Sequence, residues 1–534
     1  MYKQHLEDSP AVSRRAFVAT SALGLAMAGA TAGQALAAGQ ESVAFSQVPQ
    51  EWSGEYDVVV CGAGGAGLTA AYAALEKGAS VLVLEKADAC GGTTAVSEGA
   101  IQASGTSWQA SLGKVNVEGD DTDRHYAYWI GDTEGLANPE LVRAIVDNAA
   151  DNVNYLAENF GIDYSMVFGC PPTPYCDEAK MADRIHIMVD AADPSKAGGV
   201  VWTDNARAAV EQAGGEIALG KEVTGVVMEG ENGAVGVTCA DGTCYRARGG
   251  VVLAMASIDH NEELAKSFIQ QQYWDLKSQS VVTCATDTGD GIAMGIAAGA
   301  DTTFTGCIDL LLPTWSYERN TYDEVPYILV NQRGVRFERE DTTYAFHCRG
   351  IFNACMQEGG FDAETGEGGQ VFMVMDNKMT SNAQASWSDE DTRAAALESG
   401  ELVQADTVEE LAEALGVNQQ ALARAVERWN GDVADGVDLD FGREKQLTAL
   451  DEPPFFAWKV VNTSIGSIGG LKIDTSTQVI DRAGEPIAHL FAAGANAGGY
   501  LGPYYPGSGI MLQSACHTGR VAGYSAAALA GAGE

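Results

Sequence analysis

The chain has 534 residues, and 73 Asp and Glu against 32 Lys and Arg leave a formal net charge of −41 at pH 7. A surface of that sign repels a phosphate backbone, so nucleic acid is excluded as a partner. With 46% hydrophobic residues the chain is globular, and it is too long for one ordinary core, which predicts two domains or one domain with a large insertion.

Residues 1–40 stand apart from the fold. Ser13-Arg14-Arg15-Ala16-Phe17-Val18 leads into an uncharged run of Ala, Gly, Thr and Leu with Ala35-Leu36-Ala37 near its end. This is the pattern of a twin-arginine export signal with a small-x-small cleavage site. A membrane-spanning anchor fits less well, because the run is poor in Ile and Val. Export across the cytoplasmic membrane, to a periplasmic or other extracytoplasmic location, is therefore expected. That route carries proteins already folded around a cofactor.

The mature part opens with an apolar strand, Asp57 to Cys61, a Gly-rich turn, an Ala-rich helix from about Gly67 to Lys77 and a second strand, Val81 to Glu85. This is the start of a βαβ unit. Residues from about Thr122 to Phe160 predict helix, with Asn138-Pro139-Glu140 as a helix start. Val223 to Val227, Ala234 to Cys239 and Gly250 to Ala254 predict strands, with Asp241-Gly242 as a hairpin turn. From about Thr302 to Pro454 aromatic and acidic residues mix, and one helix stands out, Thr407 to Leu415, capped by Asp406 and closed by Gly416. Gly-rich strand and turn text returns from Trp458. The expected fold class is α/β: a Rossmann-type nucleotide-binding domain in two parts, 54–301 and 455–530, with an α+β substrate or capping domain inserted at 302–454.

Gly62-Ala63-Gly64-Gly65-Ala66-Gly67 fits G-x-G-x-x-G directly after a strand and at the mouth of a helix. Gly62 permits the tight turn, Gly64 lets backbone N–H groups approach a pyrophosphate, and Gly67 lets helix and strand pack closely. Glu85 ends the second strand, where a carboxylate accepts ribose hydroxyls. Glu85-Lys86 and Gly91-Gly92-Thr93-Thr94 favour FAD over NAD, since a second Gly pair with hydroxyls suits a longer cofactor lying across the sheet. Eleven Cys show no C-x-x-C or C-x-x-C-H spacing, so no haem, iron–sulfur cluster or other metal is expected, and Cys61 and Cys516 read as packing residues. Noncovalently bound FAD is the cofactor these residues imply.

With these motifs, with Thr288-Gly289-Asp290-Gly291 and with Leu490-Phe491-Ala492-Ala493-Gly494, the chain resembles the flavoprotein family of soluble fumarate reductases and 3-ketosteroid dehydrogenases over nearly all of residues 54–530. The resemblance adds Asp290 and Gly494 to the cofactor contacts. Ala495 stands where the family often has Glu, and Met255-Ala256-Ser257 where Thr-Gly-Gly is common. In the fumarate branch the resemblance implies a clamp of His and Arg for two carboxylates. This chain has Leu312 before Pro313-Thr314, Ile465-Gly466-Ser467-Ile468 before Gly469-Gly470, Tyr344 after Thr342-Thr343, and Tyr505 after Tyr504. Burying carboxylates without such partners costs several kcal/mol, so a neutral carbonyl compound suits the site better.

Tyr505-Pro506-Gly507-Ser508-Gly509 is similar to the Y-P-G-x-G signature of the ketosteroid branch. There the Tyr hydroxyl and the later Gly N–H hold a ketone oxygen, which implies those roles for Tyr505 and Gly509 and that of second catalytic phenol for Tyr344. Most of the 18 Tyr are packing residues, and His186 and His347 read as structural. The expected activity is reduction of a C=C bond conjugated to a ketone or lactone, steroid-like or phenolic. Oxidative ketosteroid dehydrogenation, fumarate-type carboxylate reduction and a non-catalytic FAD electron carrier stay open. An exported reductase without a second redox domain needs a separate, membrane-linked electron-transfer partner.

Overall fold

The computed structural model describes residues 48–113, 120–169, 181–278, 280–312, 327–358, 369–381 and 388–532. The export segment, Pro313-Thr314 and the side chain of Leu312 lie outside them.

Strand β1 (Gly54–Cys61) has a continuous apolar half, Val58 to Cys61, that is wholly buried, as expected of a central parallel strand covered on both faces. It runs into α1 (Gly65–Glu76) and β2 (Val81–Leu84), which pairs parallel to β1 with Val58 opposite Val81. A short α2 (Gly92–Val96) leads to β3 (Ala100–Gln102). Helix α3 (Thr122–Gly131) is followed by α4 (Pro139–Asp147), which has Asn138 as N-cap and Pro139 in its first turn, and by α5 (Ala149–Phe160). Strands β4 (Ile162–Gly169) and β5 (Asp183–Asp190) form a small antiparallel sheet with β3.

Returning to the main sheet, β6 (Glu216–Ala218) pairs with β2, and β7 (Val223–Met228), β8 (Ala234–Cys239) and β9 (Cys244–Leu253) follow as a meander. The turn at Asp241-Gly242 joins β8 and β9. Strand β9 lies parallel to β1, so both sides of the Gly62 turn are walled by backbone. Helix α6 (Asp290–Ala297) precedes β10 (Thr302–Leu312).

Next in the chain, β11 (Ile328–Asn331), α7 (Tyr344–Glu358), β12 (Val371–Met375) and β13 (Leu402–Ala405) precede α8 (Val408–Leu415) and α9 (Gln419–Asp435). The cap of α8 is Thr407, not Asp406: its hydroxyl accepts the Glu410 N–H, the third residue into the helix, where a T-x-x-E pattern places it. Helices α7 and α9 are also present, which the mixed aromatic and acidic text does not announce. Strand β14 (Phe455–Lys472) is 18 residues long, pairing with β12 and β13 through its first part and with β10 through the rest. The segment from 302 and the segment from 455 therefore share one sheet.

The chain closes with β15 (Gln478–Ile480), β16 (Pro486–Ala492) beside β9, and α10 (Ile510–Leu529). Helix α10 packs on α1 at backbone distance. A Cβ at Gly519 would come within 2.5 Å of the Ala66 carbonyl, and one at Gly523 within 2.2 Å of the Ala70 carbonyl. That seam sets the middle of α10 against the start of α1 and the Gly-rich turn. Cys61 and Cys516 are both buried in apolar clusters.

Candidate functional site

The Gly62 turn has the left-handed conformation (φ +101°), and a Cβ there would sit 2.3 Å from the Ala254 carbonyl. At Gly67 a Cβ would sit 2.0 Å from the Gly62 carbonyl. Neither position accepts a side chain. At Gly64 the nearest obstacle is the Gly91 carbonyl at 3.6 Å, and the N-terminus of α1 has no side-chain cap. Uncapped N–H groups at a helix start are a ready anion site. Gly65 N–H donates to the Thr94 hydroxyl (3.2 Å), Gly91 N–H donates to the Ala63 carbonyl (2.9 Å), and Gly92 is open on its Cβ side. Gly494, at φ +62°, faces Ala66, whose Cβ lies 2.8 Å from where a Cβ of Gly494 would be.

Glu85 accepts the N–H groups of Ala63 (2.8 Å) and Ala87 (2.9 Å). A carboxylate has about four acceptor directions, so two remain for ribose hydroxyls. Lys86 and Asp290 meet each other in an ion pair of 2.7 Å, with Thr288 as a further acceptor for Lys86. Their charges thus serve first to lock the second-strand turn onto α6. Thr93 donates to Asp287 (3.0 Å), whose carboxyl is held well above its ordinary range by burial and by neighbouring Asp259.

Around this cradle several buried polar atoms have no partner among the described residues: Ser257 Oγ, Asn496 Nδ2, Ser514 Oγ and the side-chain amide of Gln513. Such orphans are costly unless a ligand or water satisfies them, and with the Gly cradle they fit FAD. Ala256 adopts φ +61°, a conformation that suits the Gly common at this position and costs an Ala about 1–2 kcal/mol. Replacing Glu85 by Lys sets a cation where two N–H groups and the ribose need an acceptor. The variant is expected to purify largely without flavin; a normal flavin-to-protein absorbance ratio would refute the ribose contact.

The two candidate phenols come together from distant parts of the chain. Tyr344 begins α7 and Tyr505 precedes α10; both are buried, with ring centroids 6.2 Å apart and planes inclined by 46°. Tyr344 OH lies 3.3 Å from Ser508 Oγ. Tyr505 OH accepts the Met511 N–H at 3.2 Å, so it sits at the start of α10 with its own proton free to donate. Burial pushes the Tyr505 phenol up to about 12, against the N–H groups of Met511, Ile510 and Gly509, which favour the phenolate. Gly509 holds φ +94°, and a Cβ there would strike Gln102 N at 2.7 Å.

Gly466 has φ +148° and opens toward Asp259 Oδ2, 3.8 Å from where its Cβ would be, so a carboxylate stands beside the position where the fumarate branch places a His-rich turn. His347 is buried between Glu338 (2.8 Å) and the Glu340 carbonyl (2.9 Å), and His186 bonds Thr106 (2.7 Å) and the Arg184 carbonyl (2.8 Å). Both are committed to the framework. Sequence reasoning passed over Gln102, His125 and the pair Asp259 and Asp287. It also missed Asp275, Cys307 and Asp309, a buried group whose carboxyls are raised by burial, Asp275 also by the charge of Asp309. None of these belongs to a local pattern.

Known proteins are similar to this chain over most of its length. Digoxin reductase of Eggerthella lenta is 29% identical over 511 residues, covering 90% of this chain and 88% of that protein. A 3-oxosteroid 1-dehydrogenase of Mycobacterium tuberculosis is 25% identical, covering 89% of this chain and 99% of that one. The open conformation of a flavocytochrome c3 fumarate reductase superposes with a TM-score of 0.65 at 25% identity, covering 92% of this chain and 83% of that chain. These relatives are FAD-dependent reductases and dehydrogenases acting on C=C or CH–CH bonds. The family model described as the FAD binding domain matches residues 57–512. The chain therefore belongs to the FAD binding domain family and is an FAD-dependent oxidoreductase of C=C or CH–CH bonds.

Proposed function

We propose that this protein reduces a C=C bond conjugated to a ketone or lactone of a steroid-like or phenolic compound. The observation that carries the reading is the pair of buried phenols, Tyr344 and Tyr505, 6.2 Å apart between ring centroids, with the Tyr505 hydroxyl at the start of α10. Gly62, Gly64, Gly67, Glu85 and Gly494 would hold FAD, which when bound supplies hydride to an electrophilic carbon.

The residues of the chain do the rest. Tyr505 O–H and Gly509 N–H hold the carbonyl oxygen and stabilise the negative charge that grows on it as the β-carbon is reduced. Tyr344 holds the proton destined for the α-carbon; its hydroxyl is steadied by Ser508. Burial keeps water from competing for either hydrogen bond. The likeness to a digoxin reductase and to a 3-oxosteroid 1-dehydrogenase supports a neutral, polycyclic carbonyl substrate.

The direction of hydrogen transfer is tested by reducing the purified FAD form anaerobically and adding unsaturated compounds. Enones or unsaturated lactones should reoxidise the flavin faster than fumarate does, with reduced viologen supporting turnover. Rapid turnover only with an artificial acceptor and a saturated ketosteroid would instead assign the oxidative reaction.

A further inference from the structure

The turn that carries Tyr505 and Gly509 does not hold its shape alone. Gln102, at the end of β3, donates its backbone N–H to the Gly509 carbonyl (3.2 Å) and its side-chain Nε2–H to the Ser508 carbonyl (3.3 Å). Its Oε1 lies 3.0 Å from His125 Nε2, and His125 Nδ1 lies 3.2 Å from Ser104 Oγ. Gln102, Ser104 and His125 are all buried. From α3 the Tyr128 hydroxyl donates to a third carbonyl of the turn, that of Pro506.

The polarity of this chain follows by elimination. A carbonyl only accepts, so Gln102 must turn its NH2 end to Ser508, leaving Oε1 toward His125. Oε1 also only accepts, so His125 carries its proton on Nε2, and Nδ1 accepts from the Ser104 hydroxyl. Burial, with Arg184 close by, holds His125 well below its ordinary range and keeps the ring neutral.

The consequence lies on the other side of the turn. Carbonyls 506, 508 and 509 are pinned toward β3 and α3, while the Met511 N–H donates to the Tyr505 oxygen. We propose that Gln102, oriented by His125, is a positioning residue: by holding the Ser508 and Gly509 carbonyls it fixes the start of α10, whose Met511 N–H holds the Tyr505 oxygen, and so aims the Tyr505 hydroxyl at the substrate carbonyl. The substrate half of this statement rests on the reading under Proposed function.

Gln102→Glu tests it with almost no change in shape. A carboxylate at 102 sets an acceptor against the Ser508 carbonyl, whereas the protonated acid restores a donor. Of the charged groups around it, Arg184 is paired with Asp120, and His125 and His186 are both held below their ordinary range by burial. With the Tyr505 phenol pushed up by burial, an acid-dependent recovery in this variant reports the introduced carboxyl.

At neutral pH the amides of 507–511 in the FAD-loaded Gln102→Glu protein are expected to exchange with solvent at least about tenfold faster than in the parent. Turnover should fall about 10–10²-fold with FAD retained, and both effects should shrink together as the pH is lowered. Tyr128→Phe, which removes a single hydroxyl, should loosen the same amides without pH dependence and serves if Gln102→Glu does not fold. Parent-like exchange in both variants overturns the proposal, as does a turnover loss in Gln102→Glu that acid does not relieve. Faster exchange with unchanged turnover confirms that Gln102 holds the turn but overturns its catalytic purpose. It does not touch the C=C reductase reading, which the reoxidation assay decides separately.

Discussion

Tyr344→Phe is expected to lower turnover by about 10²–10⁴-fold while the protein keeps its FAD. The substitution leaves the ring, which is 7% exposed and packed in the main apolar cluster, and removes only the hydroxyl. Folding and flavin content should therefore match the parent, and the loss should appear in protonation of the α-carbon. Rapid mixing of the reduced variant with an unsaturated ketone, followed through flavin absorbance and by product analysis in deuterated water, separates this step from substrate binding. Near-normal turnover with full flavin content would remove Tyr344 from the site and send the search elsewhere in residues 302–454.

Tyr505→Phe is expected to cost about 10²–10³-fold in turnover, the usual effect of losing one donor to a developing oxyanion. The phenol is buried and pushed up to about 12, so the protonated, donating form persists at neutral and mildly alkaline pH and is lost only as the pH rises through that value. The parent enzyme should accordingly show no alkaline fall in kcat from this group below about pH 10, the ordinary phenol range. A rise in kcat through the alkaline range that is absent in Tyr505→Phe would show that the hydroxyl works as phenolate instead of as donor.

The two phenols and the Gly-rich turn differ in how they are written into the chain. Gly62, Gly64 and Gly67 act within one turn of backbone, and Glu85 lies at the end of the adjoining strand. Their spacing alone encodes the turn, the uncapped helix start and the carboxylate beside it, and the structure shows each Cβ clash that makes Gly62 and Gly67 necessary. The helices near Asn138 and Gly416 and the hairpin at Asp241-Gly242 were legible for the same reason, since caps and tight turns are local hydrogen-bonding problems. Tyr344 and Tyr505 were legible only through motif resemblance, because nothing within a few residues of either says that they meet.

What the tertiary structure alone decided are contacts between segments far apart in sequence. Lys86 turns to Asp290, the 18-residue β14 ties β12 and β13 to β10, and Gln102, His125 and Tyr128 pin the carbonyls of the Tyr505 turn. A Gln on a three-residue strand and a His within a helix carry no periodicity or spacing that marks them. Their role exists only because burial leaves each donor one acceptor within reach, and an unmade hydrogen bond there would cost about 1–3 kcal/mol. Local backbone chemistry was thus readable from the amino-acid order, whereas the pairing of buried polar groups had to wait for the fold to bring them together.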